Sequence, residues 1–264
     1  MGNAGIGRVH SVRPDAPVLW FDEIDSTNEE ARRRAQADDF GPVWIAGRKQ
    51  TAGRGRLGRQ WDSPTGNLFV TALFEEEGGL VKATRYPFAA GLAILDAASE
   101  FIDSGQLQVK WPNDVRASRQ KISGILVEAG AASGKACWVA CGMGVNVRFA
   151  PDAAGQAATS LLDLGAPQII TAEMFLDALR PAFVKRCAQA SSDFASLLTD
   201  WQKYAEGLGE EVTVGKGADA QIGIFKGVGP DGALLLASGD GTTHTIRAGD
   251  VELVKEIGGH AARD

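Results

Sequence analysis

Five basic side chains crowd the segment from Arg48 to Trp61: Arg48, Lys49, Arg54, Arg56 and Arg59, with no acidic residue among them. Glycines at 53, 55 and 58 punctuate the same stretch. Backbone that lacks a Cβ can approach a ligand closely and adopt positive φ. Guanidinium groups beside such amides can surround a phosphate or carboxylate with charge-assisted hydrogen bonds. The chemistry suggested is therefore anion binding. The spacing is neither that of a P-loop nor that of a dinucleotide-binding turn, so neither nucleotide fold follows from it. Taken alone the loop also fits a solvated basic surface. It fits a nucleic-acid arm less well, because no aromatic residues alternate with the arginines.

These residues need a scaffold, and the pattern around them supplies one. Val18–Ile24 reads as a strand from its β-branched and aromatic content, and Asp25-Ser26-Thr27 offers capping side chains to a helix over Asn28–Ala37. Val43–Arg48 is a second strand, Thr51–Gly66 a long loop without periodicity, and Asn67–Phe74 a third strand. Apolar residues at helical spacing mark Tyr86–Phe101. The run LQVKWPNDV is a strand that stops at Pro112, which has no ladder donor. Lys121–Ala129 and Ala136–Val147 read as adjacent strands, and Thr171–Gln189 and Phe194–Tyr204 as helices. Beyond Gly207-Leu208-Gly209 the chain changes to short strands separated by Gly and Asp turns, the pattern of a small β-barrel of about fifty residues.

Whole-chain properties limit the alternatives. A chain of 264 residues, 44% hydrophobic and 23% charged, can bury a substantial core. The net charge of −6 argues against a dedicated nucleic-acid binder. The segment Glu211–Val254, with only Lys216, Lys226 and Arg247 as basic residues, is too poor in charge for a phosphate track. Three cysteines (137, 141 and 187) give no disulfide framework and suit a reducing cytoplasm; with no histidine near them, buried strand thiols are a better reading of the first two than a metal pair. No segment has the length of a membrane span or the form of a signal peptide.

The loop has company. GRGRLGRQW (Gly53–Trp61) resembles the biotin-binding loop of the biotin–protein ligases. The flanking motifs DSTN (Asp25–Asn28), KQT (Lys49–Thr51), KWPND (Lys110–Asp114), KISGILVE (Lys121–Glu128) and GMGVNV (Gly142–Val147) are similar to that family's in the same order. The resemblance implies an α+β fold. A leader over 1–17 would precede a catalytic domain over 18–208, with a mixed sheet of the biotin/lipoate ligase type packed with helices. A small C-terminal barrel of Src-homology-3 type would follow over 209–264. It implies the activity too: biotin and ATP would form biotinyl-5′-AMP, and a lysine of a biotin carboxyl carrier protein, of acetyl-CoA carboxylase or a related carboxylase, would accept the biotin.

Roles follow from the same resemblance. Lys121, Arg54 and Arg56 would be catalytic, supplying positive charge between two mutually repelling anions, usually the largest catalytic contribution. Ser26, Thr27, Asn28 and Gln50 would border the biotin head group, with Gly53, Gly55, Gly124 and Gly142 bringing backbone close to it. A helix cap is the plainer reading of Ser26-Thr27. Arg59, Trp61, Lys110, Asn113, Asp114 and Asn146 would serve ATP and the adenylate, with Trp61 covering adenine; core packing fits Trp61 and Trp111 equally well. Mg²⁺ would arrive on ATP, near Asp114, without a dedicated protein cage. The resemblance further implies pairing of two chains through the catalytic sheet. Seventeen residues before the first strand, with Pro14 and Pro17, leave no room for a helix-turn-helix domain, so no repressor role is expected. A lipoate–protein ligase or octanoyltransferase would share the fold, and a non-catalytic nucleic-acid module is the remaining alternative.

Overall fold

A computed structural model describes residues 12–132, 134, 136–151, 157–215 and 217–254. Seven strands form one mixed sheet: β1 (Val18–Phe21), β2 (Val43–Gly47), β3 (Leu68–Glu76), β4 (Leu107–Lys110), β5 (Asp114–Ala117), β6 (Gln120–Ala131) and β7 (Cys137–Val145). Their order across the sheet is β1-β2-β3-β7-β6-β5-β4. β1 and β2 pair parallel, which requires a crossover, and helix α1 (Thr27–Gln36) makes it. All other neighbours in this sheet run antiparallel.

The two faces of the sheet are packed differently. One lies beneath α3 (Tyr86–Ala98) and α4 (Ala172–Ser192), with α2 (Gly79–Ala83) and α5 (Phe194–Lys203) beside them. α3 is apolar nearly all round and almost wholly buried, as such a helix must be. Trp44, Phe74, Tyr86 and Phe183 meet edge to face in this core. On the other face α1 covers a smaller apolar patch of Ala31, Val43, Ile45, Leu73 and Ala140. The rest of that face is left for the site.

The second unit is a five-stranded antiparallel sheet of SH3-like type, β8 (Glu211–Val214), β9 (Gln221–Val228), β10 (Leu234–Ala237), β11 (Thr243–Ile246) and β12 (Val251–Leu253), ordered β11-β10-β9-β8-β12. The segment that leads into it from α5 is tied to the first sheet by main-chain bonds of Val109 with Tyr204 and Glu206, both 2.9 Å. A buried ion pair, Arg116 Nη1 to Glu206 Oε1 at 2.7 Å, lies beside them. The Trp111 indole donates to Gly232 O at 3.1 Å.

Several boundaries differ from expectation. The first strand ends at Phe21 rather than Ile24: the pairing with β2 breaks there and returns in the same register only as a single bridge of Ile24 with Gln50. LQVKWPNDV is two strands: pairing stops at Lys110 and resumes at Asp114 after the turn. α3 ends at Ala98 rather than Phe101, and α4 runs on to Ser192 through Pro181. Helix α2 had no sequence signal. Residues 12–17, the end of the expected flexible leader, pack: Val12 and Ala16 are buried, and Trp44 Nε1 donates to Arg13 O at 3.0 Å. The leader's first eleven residues, 133 and 135 in the turn between β6 and β7, Lys216, and the last ten residues of the expected barrel domain lie outside the described residues.

Candidate active site

Register aligns the site. Phe69, Gly144, Gly124, Asp114 and Lys110 sit directly opposite one another across five adjacent strands, so all five present the same face. The next row along holds Thr71, Gly142 and Leu126. Lys121 pairs with Arg116 on the same β5–β6 ladder, past a bulge between Val115 and Arg116. Above these rows opens a cleft of about 950 Å³, closed on its other sides by the glycine-rich loop, the N-terminus of α1 and the edge of the second sheet.

Glycine in these rows makes room. A Cβ on Gly124 would lie 2.7 Å from the Trp61 ring, and one on Gly144 would lie 2.7 Å from its Cε2 and Nε1. The Trp61 indole thus rests over both glycines, and its N–H is buried with no hydrogen-bond partner among the described residues. Gly142 makes room for Asn28 in the same way, its Cβ position falling 1.9 Å from Asn28 Oδ1. Gly53 does not line the cleft. It lies behind, against Trp61 O and Ser63 Oγ, where a side chain would force the loop apart.

Each loop cation has a partner. Arg54 pairs with Glu29 on α1, and Arg59 with Asp250 at the edge of the second sheet. Arg56 Nη1 donates to Asn113 Oδ1 at 3.0 Å, while Asn113 Nδ2 donates to Ile125 O at 2.7 Å. Lys121 Nζ lies 2.8 Å from Asp114 Oδ1 and 5.2 Å from the centre of the Trp61 ring. The hydrogen bond that Arg59 donates to Asp250 pushes the Arg59 pKa up, with Asp114 and Glu252 adding negative charge. Positive charge therefore converges on one cleft, each group held by a neighbour that an incoming anion can replace.

The opposite end of the cleft is polar and uncharged. Ser26 is the N-cap residue of α1, yet its side chain makes no capping bond, so the capping expectation is not met there. Its amide instead donates to Asp25 Oδ1 at 2.7 Å. Arg33 grips that carboxylate and holds its pKa down at about 2. Thr27 N donates to Gln50 Oε1 at 2.9 Å, and Gln50 Nε2 donates to Ser63 Oγ at 3.0 Å. Asn28 also lines the wall, with its amide spent on Leu126 O and Glu128. Asn146 lines the floor, its Nδ2 donating to Lys121 O and Thr159 O at 3.3 and 3.1 Å; it anchors the start of β6.

The cleft thus gathers Ser26, Thr27, Asn28 and Gln50 at one end, and Arg54, Gly55, Arg56, Arg59 and Trp61 along the loop. From the sheet it gathers Lys110, Asn113, Asp114, Lys121, Gly124, Gly142 and Asn146. Trp111 is 4% exposed and reaches the second sheet, so packing is its main work. Sequence reasoning missed Thr71, which bonds both Thr27 and Asn28, and the rim residues Arg116, Asp250 and Glu252. The nearly continuous burial of β3 marks Thr71 only as an interior strand residue, and Asp250 is 191 positions from its partner. Among the described residues no three His, Cys, Asp or Glu side chains are placed to hold a metal ion. All three cysteines are free and buried.

Comparison with known proteins identifies the family. Residues 20–146 match the Biotin/lipoate A/B protein ligase family, and residues 207–254 match the Biotin protein ligase C terminal domain. A biotin–[acetyl-CoA-carboxylase] ligase of Paracoccus denitrificans is 38% identical over 218 residues, 80% of this chain and 90% of the relative. One from Mycobacterium tuberculosis is 34% identical over 236 residues, 87% of this chain and 86% of the relative. Among solved structures, the biotin protein ligase of Aquifex aeolicus in complex with biotin and ATP superposes with a TM-score of 0.69 at 26% identity, covering 90% of this chain and 98% of that one. By sequence and by fold, the chain belongs to the biotin/lipoate A/B protein ligase family and carries the biotin protein ligase C-terminal domain.

Proposed function

We propose that this protein is an ATP-dependent biotin–protein ligase that makes biotinyl-5′-AMP and passes biotin to a lysine of a biotin carboxyl carrier protein. The observation that carries this reading is the convergence of Arg54, Arg56, Arg59 and Lys121 on one cleft whose far end is the uncharged Thr27–Gln50 pair. The ureido ring would sit at the polar end and the valerate carboxylate would reach toward Lys121. That carboxylate attacks the α-phosphate of ATP, an acyl–phosphate bond forms, and the bond to pyrophosphate breaks. Lys121 lies where an ammonium can neutralise both anions, and Arg54, Arg56 and Arg59 can exchange their internal partners for phosphate oxygens. The neutral carrier amine then attacks the acyl carbon, loses a proton, and AMP departs.

Mg²⁺ enters with ATP in this scheme. Asp114, already paired with Lys121, is the carboxylate on the sheet nearest to where the phosphates would lie. The acceptor belongs to acetyl-CoA carboxylase or a related carboxylase, as the relatives' names suggest. We read the protein as an enzyme of the cytoplasm without a repressor role, in keeping with its net charge of −6, its free cysteines, and no described helix long and apolar enough to cross a membrane. The test is incubation with ATP, Mg²⁺, a carrier domain and either biotin or lipoate, followed by mass measurement of the carrier. A biotinyl adduct formed only with biotin is expected. A lipoyl adduct, or none, would overturn the assignment.

A further inference from the structure

Two short hydrogen-bond chains run through the polar end of the cleft, and each ends on a backbone carbonyl, which can only accept. In the first, Asn28 Nδ2 donates to Leu126 O at 3.2 Å. This fixes the Asn28 amide, so its Oδ1 is the atom that faces Thr71 Oγ1 at 2.7 Å. Thr71, fully buried on β3, has one hydroxyl proton, and it must point at that oxygen. Its contact with Thr27 Oγ1 at 2.9 Å is then satisfied only if Thr27 donates. The Thr27 proton is spent away from the cleft.

In the second chain, Ser63 Oγ donates to Trp61 O at 2.9 Å and therefore accepts from Gln50 Nε2 at 3.0 Å. The Thr27 backbone N–H, a donor only, holds Gln50 Oε1 in place from the other side at 2.9 Å. The two chains leave Thr27 Oγ1 and Gln50 Oε1 facing each other at 3.3 Å with no proton between them.

We infer that Thr71 and Ser63 act as positioning residues which turn Thr27 Oγ1 and Gln50 Oε1 into a paired acceptor for one N–H of the ligand. The inference rests on the reading of the cleft as a biotin site and deepens it. A ureido ring supplies the N–H; the dithiolane ring of lipoate has no donor and would leave Thr27 Oγ1 and Gln50 Oε1 facing each other at 3.3 Å without a proton to bridge them, which is costly. The slot thus gives the cleft a physical reason to take the cyclic urea and refuse the lipoyl ring. Removing the Thr71 hydroxyl frees the Thr27 proton to turn onto Gln50 Oε1 and fill the slot from within.

The experiment compares wild type, Thr71→Val, Thr71→Ser and Ser63→Ala in biotin-dependent ATP–pyrophosphate exchange, with circular dichroism as the folding control and lipoate as competitor. Thr71→Val should raise KM for biotin about tenfold, weaken the preference for biotin over lipoate by a similar factor, and leave KM for ATP within about twofold. Thr71→Ser, which keeps the proton, should restore wild-type behaviour. Ser63→Ala, a loop substitution outside the sheet, should shift biotin KM in the same direction by freeing Gln50, and it decides the matter if the valine variant does not fold. An unchanged biotin KM in both Thr71→Val and Ser63→Ala, equal rises in both KM values, or failure of serine to rescue would overturn the inference. Absence of biotin-dependent exchange in the wild type would instead overturn the functional reading beneath it.

Discussion

Gly144→Ala should cripple the enzyme while leaving it folded. The new Cβ would stand 2.7 Å from Cε2 and Nε1 of Trp61 and 2.9 Å from its Cζ2. Carbon atoms in good contact are ~3.5–4.0 Å apart, so the indole must lift by about 1 Å. Backbone strain does not confuse the outcome, because Gly144 is a regular β7 residue without positive φ. Lifting Trp61 moves the loop that carries Arg54, Arg56 and Arg59, and it disturbs the ring over which Lys121 Nζ sits at 5.2 Å. A misplacement of that size around a reacting centre costs on the order of 10²-fold in kcat/KM. Overpacking costs about 1–3 kcal/mol, a tolerable share of a typical fold's stability and equivalent to roughly 2–12 °C in Tm. Gly239→Ala is the control: nothing lies within 4 Å of its Cβ position, and its stability should change by less than about 0.5 kcal/mol. The assay is biotin-dependent ATP–pyrophosphate exchange beside a thermal melt. Exchange in Gly144→Ala within about twofold of wild type would refute the reasoning, since it would mean that Trp61 and its loop have no fixed place over the sheet.

Three further expectations follow from other parts of the molecule. Lys121→Gln and Arg54→Ala should each slow adenylate formation at least tenfold, and up to ~10³-fold for Lys121, with melting curves close to wild type; pyrophosphate exchange reads the first and calorimetry the second. Glu206→Ala strands the Arg116 guanidinium, whose side chain is only 6% exposed, and should cost about 3–5 kcal/mol in denaturant unfolding. The paired change Arg116→Met with Glu206→Met should recover most of that loss. Burial pushes the Cys141 and Cys187 thiols up, so both stay protonated at pH 8 and should not react with a thiol-specific reagent until the protein unfolds.

Much of this architecture is legible in the chain itself. The loop announced itself because its charge and its glycines are contiguous, and α3 because nearly every residue in it is apolar. The rows that align Gly124 with Gly144 and Asp114 depend on register, which no local pattern states. Thr71 looks like any strand threonine until α1 folds over it and places Asn28 43 positions away within 2.7 Å. The counter-charges were hidden for the same reason: Glu29 and Asp250 read as ordinary surface acids, and only the folded chain brings them to Arg54 and Arg59. The strand expected to stop at Pro112 ends at Lys110, and its resumption at Asp114 is not legible, because a four-residue strand inside a turn-rich motif carries too short a pattern.

On binding both substrates the loop arginines and Lys121 exchange their internal partners, three carboxylates and the Asn113 amide, for the reacting anions. A crystal structure of the protein with biotin and a non-hydrolysable ATP analogue tests it directly. Lys121 Nζ should be turned from Asp114 to within about 3.2 Å of both the biotin carboxylate and an α-phosphate oxygen, with Arg54 or Arg56 on the phosphates. Those side chains still on Glu29, Asn113 and Asp114, or pointing into bulk water while both ligands sit in the cleft, would contradict it.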